Sequence, residues 1–153
     1  MNLHLLLEKL HGHVALLGIA LCFHAPISLR RVRSAGRRAR IAAYCATVFM
    51  AAGTALGWVV YPEYRREVRQ MLYVTSPVLG RAFETKEHIG TFALALVLAG
   101  AVVTWQASRP GLGAALTPTI RTLYLWAGVL ASVSAVGGVY LASVYGFAYG
   151  AGK

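Results

Sequence analysis

Histidine is the residue type whose placement in this chain points most directly to chemistry. His13 and His24 are 11 residues apart, which on a helix gives a rotation of roughly 20° and a rise of roughly 16 Å. Both therefore lie on one helix face, at different depths, whereas His11 points elsewhere. His88 opens a later apolar segment. Imidazole nitrogens ligate haem iron and other transition metals, so these four positions are candidate cofactor ligands.

Carboxylates offer a second kind of site. Glu8 and His11 form an E-x-x-H pair, which is the helical spacing of di-iron carboxylate bundles. Glu84, Glu87 and His88 could supply the opposite side of a metal site. A complete di-iron centre needs two E-x-x-H pairs and the chain has one. A zinc or copper site formed by His11, His13 and His88 is the weaker variant.

Composition shows which elements must position these residues. The chain has 153 residues, of which 58% are hydrophobic and only 13% charged, against about 25% charged in soluble domains. Four segments of roughly 20 apolar residues are long enough to cross a bilayer. They cover residues 11–29, 41–61, 88–106 and 122–147. The sequence therefore predicts a single transmembrane domain over 1–153, an all-α integral membrane bundle whose immediate partner is the lipid bilayer.

The positive charges lie between the apolar segments, so they indicate topology and we expect no nucleic acid partner, despite a net charge of +10. Two connections carry arginines and no acid, and under the positive-inside rule both face the cytoplasm. The N-terminus, the connection 62–87 and the C-terminus are then extracytoplasmic, as in a multi-pass protein of a bacterial inner membrane. The arginines of the two connections are Arg30, Arg31, Arg33, Arg37, Arg38 and Arg40, then Arg109 and Arg121.

The extracytoplasmic connection has its own local signals. Pro62 is suited to the first position of a short helix, which we expect to lie along the membrane interface. Ser76 and Pro77 are suited to the cap and first position of another helix, running through Gly80 into the third span. Two small-xxx-small pairs predict close helix packing. They are Gly53 with Gly57 and Gly146 with Gly150.

Short cytoplasmic connections favour an up-down-up-down bundle, in which the first and third spans are co-directional and diagonal. Adjacent axes about 8–10 Å apart give a diagonal of roughly 13 Å. That distance suits a haem b at the bundle centre with His13 and His88 as its axial ligands, and His11 or His24 as alternates. His24 has no histidine at matching depth in another span, so a second bis-histidine haem is not expected.

Two stretches, LHGHVALLGIALCFH and KEHIGTFALAL, resemble small four-helix inner-membrane proteins of bacteria with histidines near helix ends. Several such proteins are b-type cytochrome or quinone-linked subunits, so the resemblance implies haem, and a quinone as a further partner.

Three functions stay open at this point. The first is a haem b-binding electron-transfer subunit near the outer face, acting as a carrier rather than a stand-alone enzyme. The second is a non-catalytic anchor or accessory subunit that joins other membrane protein subunits. The third is an outer-face metal-binding protein that uses Glu8, His11, Glu84, Glu87 and His88.

Overall fold

The computed structural model describes residues 3–30 and 36–150, and this part of the chain is built from helices without any strand. The elements are α1 (Leu3–Arg30), α2 (Arg37–Tyr64), a π-helical turn (Arg65–Arg69), α3 (Gln70–Thr75), α4 (Pro77–Gln106) and α5 (Gly113–Gly150). The prediction of an all-α protein is confirmed. Arg31 and Arg33 of the predicted first connection lie outside the described residues.

The four long helices form a bundle. α1 packs mainly against α2 and α5, and α4 packs mainly against α5 and α2, so α1 and α4 occupy opposite corners. Contacts run antiparallel: Gly57 of α2 meets His11 near the start of α1, and Gly18 further along α1 meets Met50. The predicted order of helices, with the first and third spans diagonal, agrees with this packing.

All four helices are long and apolar enough to cross a membrane. The qualifying segments are Leu6–Leu29, Arg37–Thr75, Pro77–Gln106 and Gly113–Gly146, and the predicted spans fall on them in order. The observed helices are longer than the predicted spans, and the additional residues are at the helix ends. α1, for example, begins at Leu3, eight residues before the predicted span.

Pro62 lies inside a helix, so the prediction that it starts a separate interfacial helix is wrong. α2 continues through Pro62 to Tyr64, widens into the π-helical turn and continues as α3. Proline has no backbone N–H to donate to the helical hydrogen bond. The segment nevertheless remains helical because its apolar side packs on the bundle. Val68 and Leu72 are buried against Phe83 and Leu141.

The turn between α3 and α4 follows the predicted capping pattern. Ser76 has extended backbone angles, and its Oγ accepts a hydrogen bond from the backbone N–H of Val78. Pro77 occupies the first helical turn, and α4 then runs through Gly80 as expected. A side chain at position 80 would collide with the ring of Tyr73, so glycine permits this tight helix reversal.

Small residues let the helices approach closely, and the first predicted glycine pair is used in this way. A Cβ at Gly53 would lie 3.2 Å from the backbone of Ala15, and one at Gly57 would lie 2.9 Å from the His11 ring. Gly146, by contrast, has no neighbour within 4 Å. The second predicted pair, Gly146 with Gly150, therefore shows no close helix contact at Gly146.

The bundle has two chemically different ends, named here by their charged residues. The glutamate end contains the start of α1, the end of α2, α3 and the start of α4, and all five acidic residues of the chain fall there. The arginine end contains the start of α2 with Arg37, Arg38 and Arg40, and the connection between α4 and α5 with Arg109. Apolar side chains, most of them small, fill the interior between the ends: Cys22, Ala25, Leu29, Ala39, Ala43, Ala46, Met50, Ala93, Val97, Ala107, Ile120, Tyr124, Ala127 and Ala131.

Candidate functional site

His13 and His24 share one face of α1, as the spacing predicted, and that face points away from the bundle. Both side chains are exposed. At 100° per residue they lie on roughly the opposite side of α1 from its buried stripe. The stripe consists of Gly18, Cys22, Ala25 and Leu29. These small or apolar residues take the interior, and the imidazoles are left on the outside.

His88 is exposed on α4 in the same way, on the far side of that helix from the buried Ala93 and Val97. Because α1 and α4 occupy opposite corners, outward-facing rings on the two helices point away from each other. The structure thus does not bring His13 and His88 together in the bundle interior. Haem binding through either residue stays a prediction.

The rings of His13 and His88 are nevertheless held in defined orientations. Nδ1 of His13 is 2.7 Å from the carbonyl oxygen of Lys9, and Nδ1 of His88 is 2.7 Å from that of Glu84. A carbonyl oxygen can only accept, so each Nδ1–H donates and each Nε2 is left as the nitrogen with a free lone pair when the ring is neutral. This hydrogen bond to a backbone carbonyl is common for histidines that ligate metals.

His11, the first alternate, points inward and joins two helices. Its Nδ1–H donates to the carbonyl oxygen of Gly53 at 2.8 Å, and its ring lies against Gly57. The side chain is half-buried. His24, the second alternate, has Nε2 3.2 Å from the Oγ of Ser28, one turn along the same helix. Neither alternate belongs to a group of three or more metal-ligating side chains in the described part of the chain.

The predicted metal set is not assembled. Among residues 3–30 and 36–150, no three His, Cys, Asp or Glu side chains come close enough to hold a metal ion. Glu84 pairs with Arg69, Glu87 accepts a hydrogen bond from Tyr61, and His88 faces outward. Nδ1 of His11 is engaged with the carbonyl oxygen of Gly53. Metal binding by these residues stays a prediction.

A different group of polar side chains does converge at the glutamate end, between α2, α4 and α5. We call it the polar cluster, and it consists of five half-buried residues, Tyr61, Tyr64, Lys86, Glu87 and Ser134. The hydroxyl of Tyr61 donates to Oε2 of Glu87 at 2.8 Å, and the hydroxyl of Ser134 donates to the carbonyl oxygen of Lys86 at 3.0 Å. These bonds tie α4 to both of its neighbours.

Lys86 lies inside this cluster. Its Nζ is 5.6 Å from the centre of the Tyr64 ring and 4.9 Å from the centre of the Phe83 ring. Its stem passes over Gly137 and Gly138, at 3.7–3.9 Å from where their Cβ atoms would be. Lys86 lies just before the predicted span 88–106. Burial lowers the pKa of its ammonium group, and the neighbouring Glu87 carboxylate opposes that shift. The two aromatic faces offset part of the desolvation cost.

The carboxylate of Glu87 is only partly satisfied. Oε2 accepts the Tyr61 hydrogen bond, but Oε1 is buried and has no hydrogen-bond partner among the described residues. A buried unpaired polar atom costs about 1–3 kcal/mol, so water or another donor at Oε1 would stabilise the site. The sequence analysis offered Glu87 as a candidate metal ligand and did not predict its neighbours in this cluster. The available signal was the spacing of Phe83, Lys86 and Gly90 at i, i+3 and i+7, which puts Lys86 on the buried side of α4.

Arg69 and Glu84 form an ion pair that fastens the α3 region to α4 outside the predicted spans. The guanidinium donates through both Nε and Nη2 to Oε1 of Glu84. This hydrogen bonding, with a smaller contribution from Tyr73, holds the pKa of the Glu84 carboxyl below its usual value. The guanidinium also lies 5.2 Å from the centre of the Tyr73 ring. The pair is half-exposed, so its role is to position α3 rather than to do chemistry.

Comparison with known proteins yields no relative from which a role could be transferred: no family model matches the chain, and neither a curated protein nor a solved structure matches it.

Proposed function

We propose that this chain is a non-catalytic membrane-integral subunit of a larger membrane complex, and that it contacts a partner subunit through the outward face of α1. The observation that carries this proposal is the exposure of His13 and His24 on that face. Both lie within the first predicted span, residues 11–29, where a bundle standing alone would present them to lipid.

The acyl chains of lipids cannot hydrogen-bond an imidazole, so ionisable side chains at membrane depth almost always face protein or water. The hydrogen bonds of His13 to Lys9 and of His24 to Ser28 each engage one ring nitrogen with a group of the same helix. A partner helix with polar groups would satisfy the second nitrogen of each ring. Such interhelical hydrogen bonds contribute about 0.6 kcal/mol on average in membranes, so two of them add to an interface formed mainly by packing.

The charge distribution supports membrane insertion with the arginine end in the cytoplasm. The five acidic residues are at positions 8, 63, 67, 84 and 87, which all fall at the glutamate end. Connections rich in arginine and free of acid are retained on the cytoplasmic side. The location we propose is a bacterial inner membrane, with both chain termini outside the cytoplasm.

The test is co-purification from the native membrane in mild detergent. We expect the tagged chain to isolate as a defined complex, and expect H13L/H24L to lose most of the partner because the polar contacts on α1 are gone. T122V is the matched control, since Thr122 is exposed on α5 and the change likewise removes a polar group. Equal recovery of the partner with H13L/H24L and T122V would contradict the proposal, as would a chain that isolates alone.

A second candidate function is supported by the ring orientations. Because Nδ1 of His13 and of His88 donates to a backbone carbonyl, each Nε2 is oriented outward for a ligand. A haem b at the boundary with a partner would take one axial ligand from this chain and the other from the partner. The purified complex should then show a Soret band and a low-spin α band that H88A or H13A removes. T91V, one turn along the exposed side of α4 from His88, should keep them. A colourless complex would exclude this candidate.

A further inference from the structure

A shallow groove opens at the arginine end between α2 and the end of α4. It is lined by Arg37, Arg40, Ile41, Tyr44 and Ser108, and its volume is about 270 Å³. This is far more space than a single water molecule needs, so the groove can take a phosphate group that keeps part of its hydration. The two guanidinium groups at its rim are donors suited to phosphate oxygens, whereas the hydroxyl of Ser108 already donates to the carbonyl oxygen of Trp105.

The electrostatic surroundings of the groove favour an anion. No acidic residue occurs between positions 9 and 62 or after position 87, so no carboxylate of the sequence lies close in the chain to either wall of the groove. α2 also begins here: Gly36 is its N-cap and contributes no side-chain hydrogen bond. The first backbone N–H groups of α2, together with its dipole, therefore add to the attraction of Arg37 and Arg40 for negative charge.

An apolar stripe leads from the groove along α2 into the predicted span 41–61. Arg37, Ile41, Tyr44 and Val48 follow each other at i, i+4, i+7 and i+11, which places them along one side of the helix. Ile41 is 51% exposed and Val48 is 63% exposed, so this side is open to the surroundings. A positively charged groove that continues into an exposed apolar stripe fits an amphiphile with a phosphate at one end.

We propose that this groove binds the phosphate of one anionic phospholipid, with the guanidinium groups of Arg37 and Arg40 on the phosphate oxygens and an acyl chain along Ile41, Tyr44 and Val48. The lipid would lie between the start of α2 and Ser108, in the connection that follows α4. This inference goes beyond the subunit role, and it requires only that the chain spans a membrane.

Arg38 provides a matched control for Arg40. It is in the same first turn of α2 and carries the same charge, but it lines a neighbouring groove with His24 and Ser28 and not the groove of the proposal. R38Q and R40Q therefore change the net charge and the topological signal of this end equally. A difference between them reports contact with the groove itself.

The experiment reconstitutes the full chain in nanodiscs of phosphatidylcholine doped with phosphatidylglycerol, and counts retained lipids by native mass spectrometry. We expect wild type and R38Q to retain one phosphatidylglycerol per chain. R40Q should weaken retention about fivefold, which corresponds to the roughly 1 kcal/mol that one arginine contributes near an anionic surface. R37Q/R40Q should weaken it further.

Three outcomes would overturn the proposal. Equal loss in R38Q and R40Q would show general attraction by net charge, without a specific groove. Phosphatidylcholine also carries a phosphate but has no net charge. Equal retention of phosphatidylcholine and phosphatidylglycerol would therefore show that the groove does not select an anionic lipid. Binding of inorganic phosphate to wild type in detergent, lost in R40Q and able to displace the lipid, would assign the groove to a soluble phosphate instead.

Discussion

The contact between α1 and α2 at Gly53 provides a direct test of the bundle. A Cβ at position 53 would lie 3.2 Å from both the Cα and the N of Ala15, and 3.4 Å from its Cβ. Backbone atoms of a packed helix cannot rotate away as a side-chain end can, so the G53A variant must move α1 by a few tenths of an ångström. That movement also disturbs the hydrogen bond from His11 to the Gly53 carbonyl oxygen.

The expected magnitude follows from two opposing effects. Overpacking a close contact costs about 1–3 kcal/mol, whereas replacing a helical glycine by alanine contributes about 0.8–1 kcal/mol of helix propensity. Gly12 isolates the second effect, because a Cβ there would have no neighbour within 4 Å. The propensity contribution is common to G53A and G12A. The difference between the two variants should therefore be about 1–3 kcal/mol, with G53A the less stable.

Thermal unfolding in detergent, followed by far-ultraviolet circular dichroism, measures this difference. For a chain of this size 1 kcal/mol shifts the midpoint by about 2–4 °C, so G53A should unfold about 2–12 °C below G12A. A midpoint for G53A equal to or above that of G12A would refute the close approach of α1 and α2 at this glycine.

Further predictions concern the polar cluster and the helix cap. Y61F should destabilise the protein by about 1–3 kcal/mol in thermal unfolding, because Glu87 loses its hydrogen-bond donor, whereas Y140F on the exposed surface should have little effect. S76A should cost about 0.5–2 kcal/mol in the same assay through loss of the α4 cap. For Lys86, burial lowers the folded-state pKa below the usual 10.5, so the unfolded state binds more protons between the two values. Wild-type stability should then gain from this group as pH rises towards about 10.5, and K86M should remove that gain; identical pH profiles would contradict it.

The distribution of apolar residues along the sequence predicts much of the fold. Four runs of about 20 apolar residues predicted the four long helices, and the Ser76-Pro77 pair predicted the start of α4. These are local properties: a span needs length, and a cap needs one side chain near its own helix. The prediction from Pro62 was wrong because contacts with other helices decided the local structure. Its local preference for a helix start was outweighed by burial of Val68 and Leu72 against Phe83 and Leu141, which are contributed by other helices.

The rotation of each helix about its axis was the part that sequence reasoning missed. The 11-residue spacing correctly put His13 and His24 on one face of α1, but spacing alone does not say which face is buried. Close packing selected the stripe with Gly18 and Cys22, because small residues allow the neighbouring helices to approach. The rotation of α4 likewise directs Lys86 toward α5, where the space above Gly137 and Gly138 accommodates its stem.

Site-specific photocrosslinking at Ala20 in the native membrane tests the central claim most directly. Ala20 is exposed on α1 between His13 and His24, and Val136, which is 70% exposed on α5, is the control position. We expect a crosslinker at Ala20 to capture one membrane protein of defined mass, H13L/H24L to reduce this product, and a crosslinker at Val136 not to form it. Crosslinks from Ala20 only to lipid, or the same products from both positions, would contradict it.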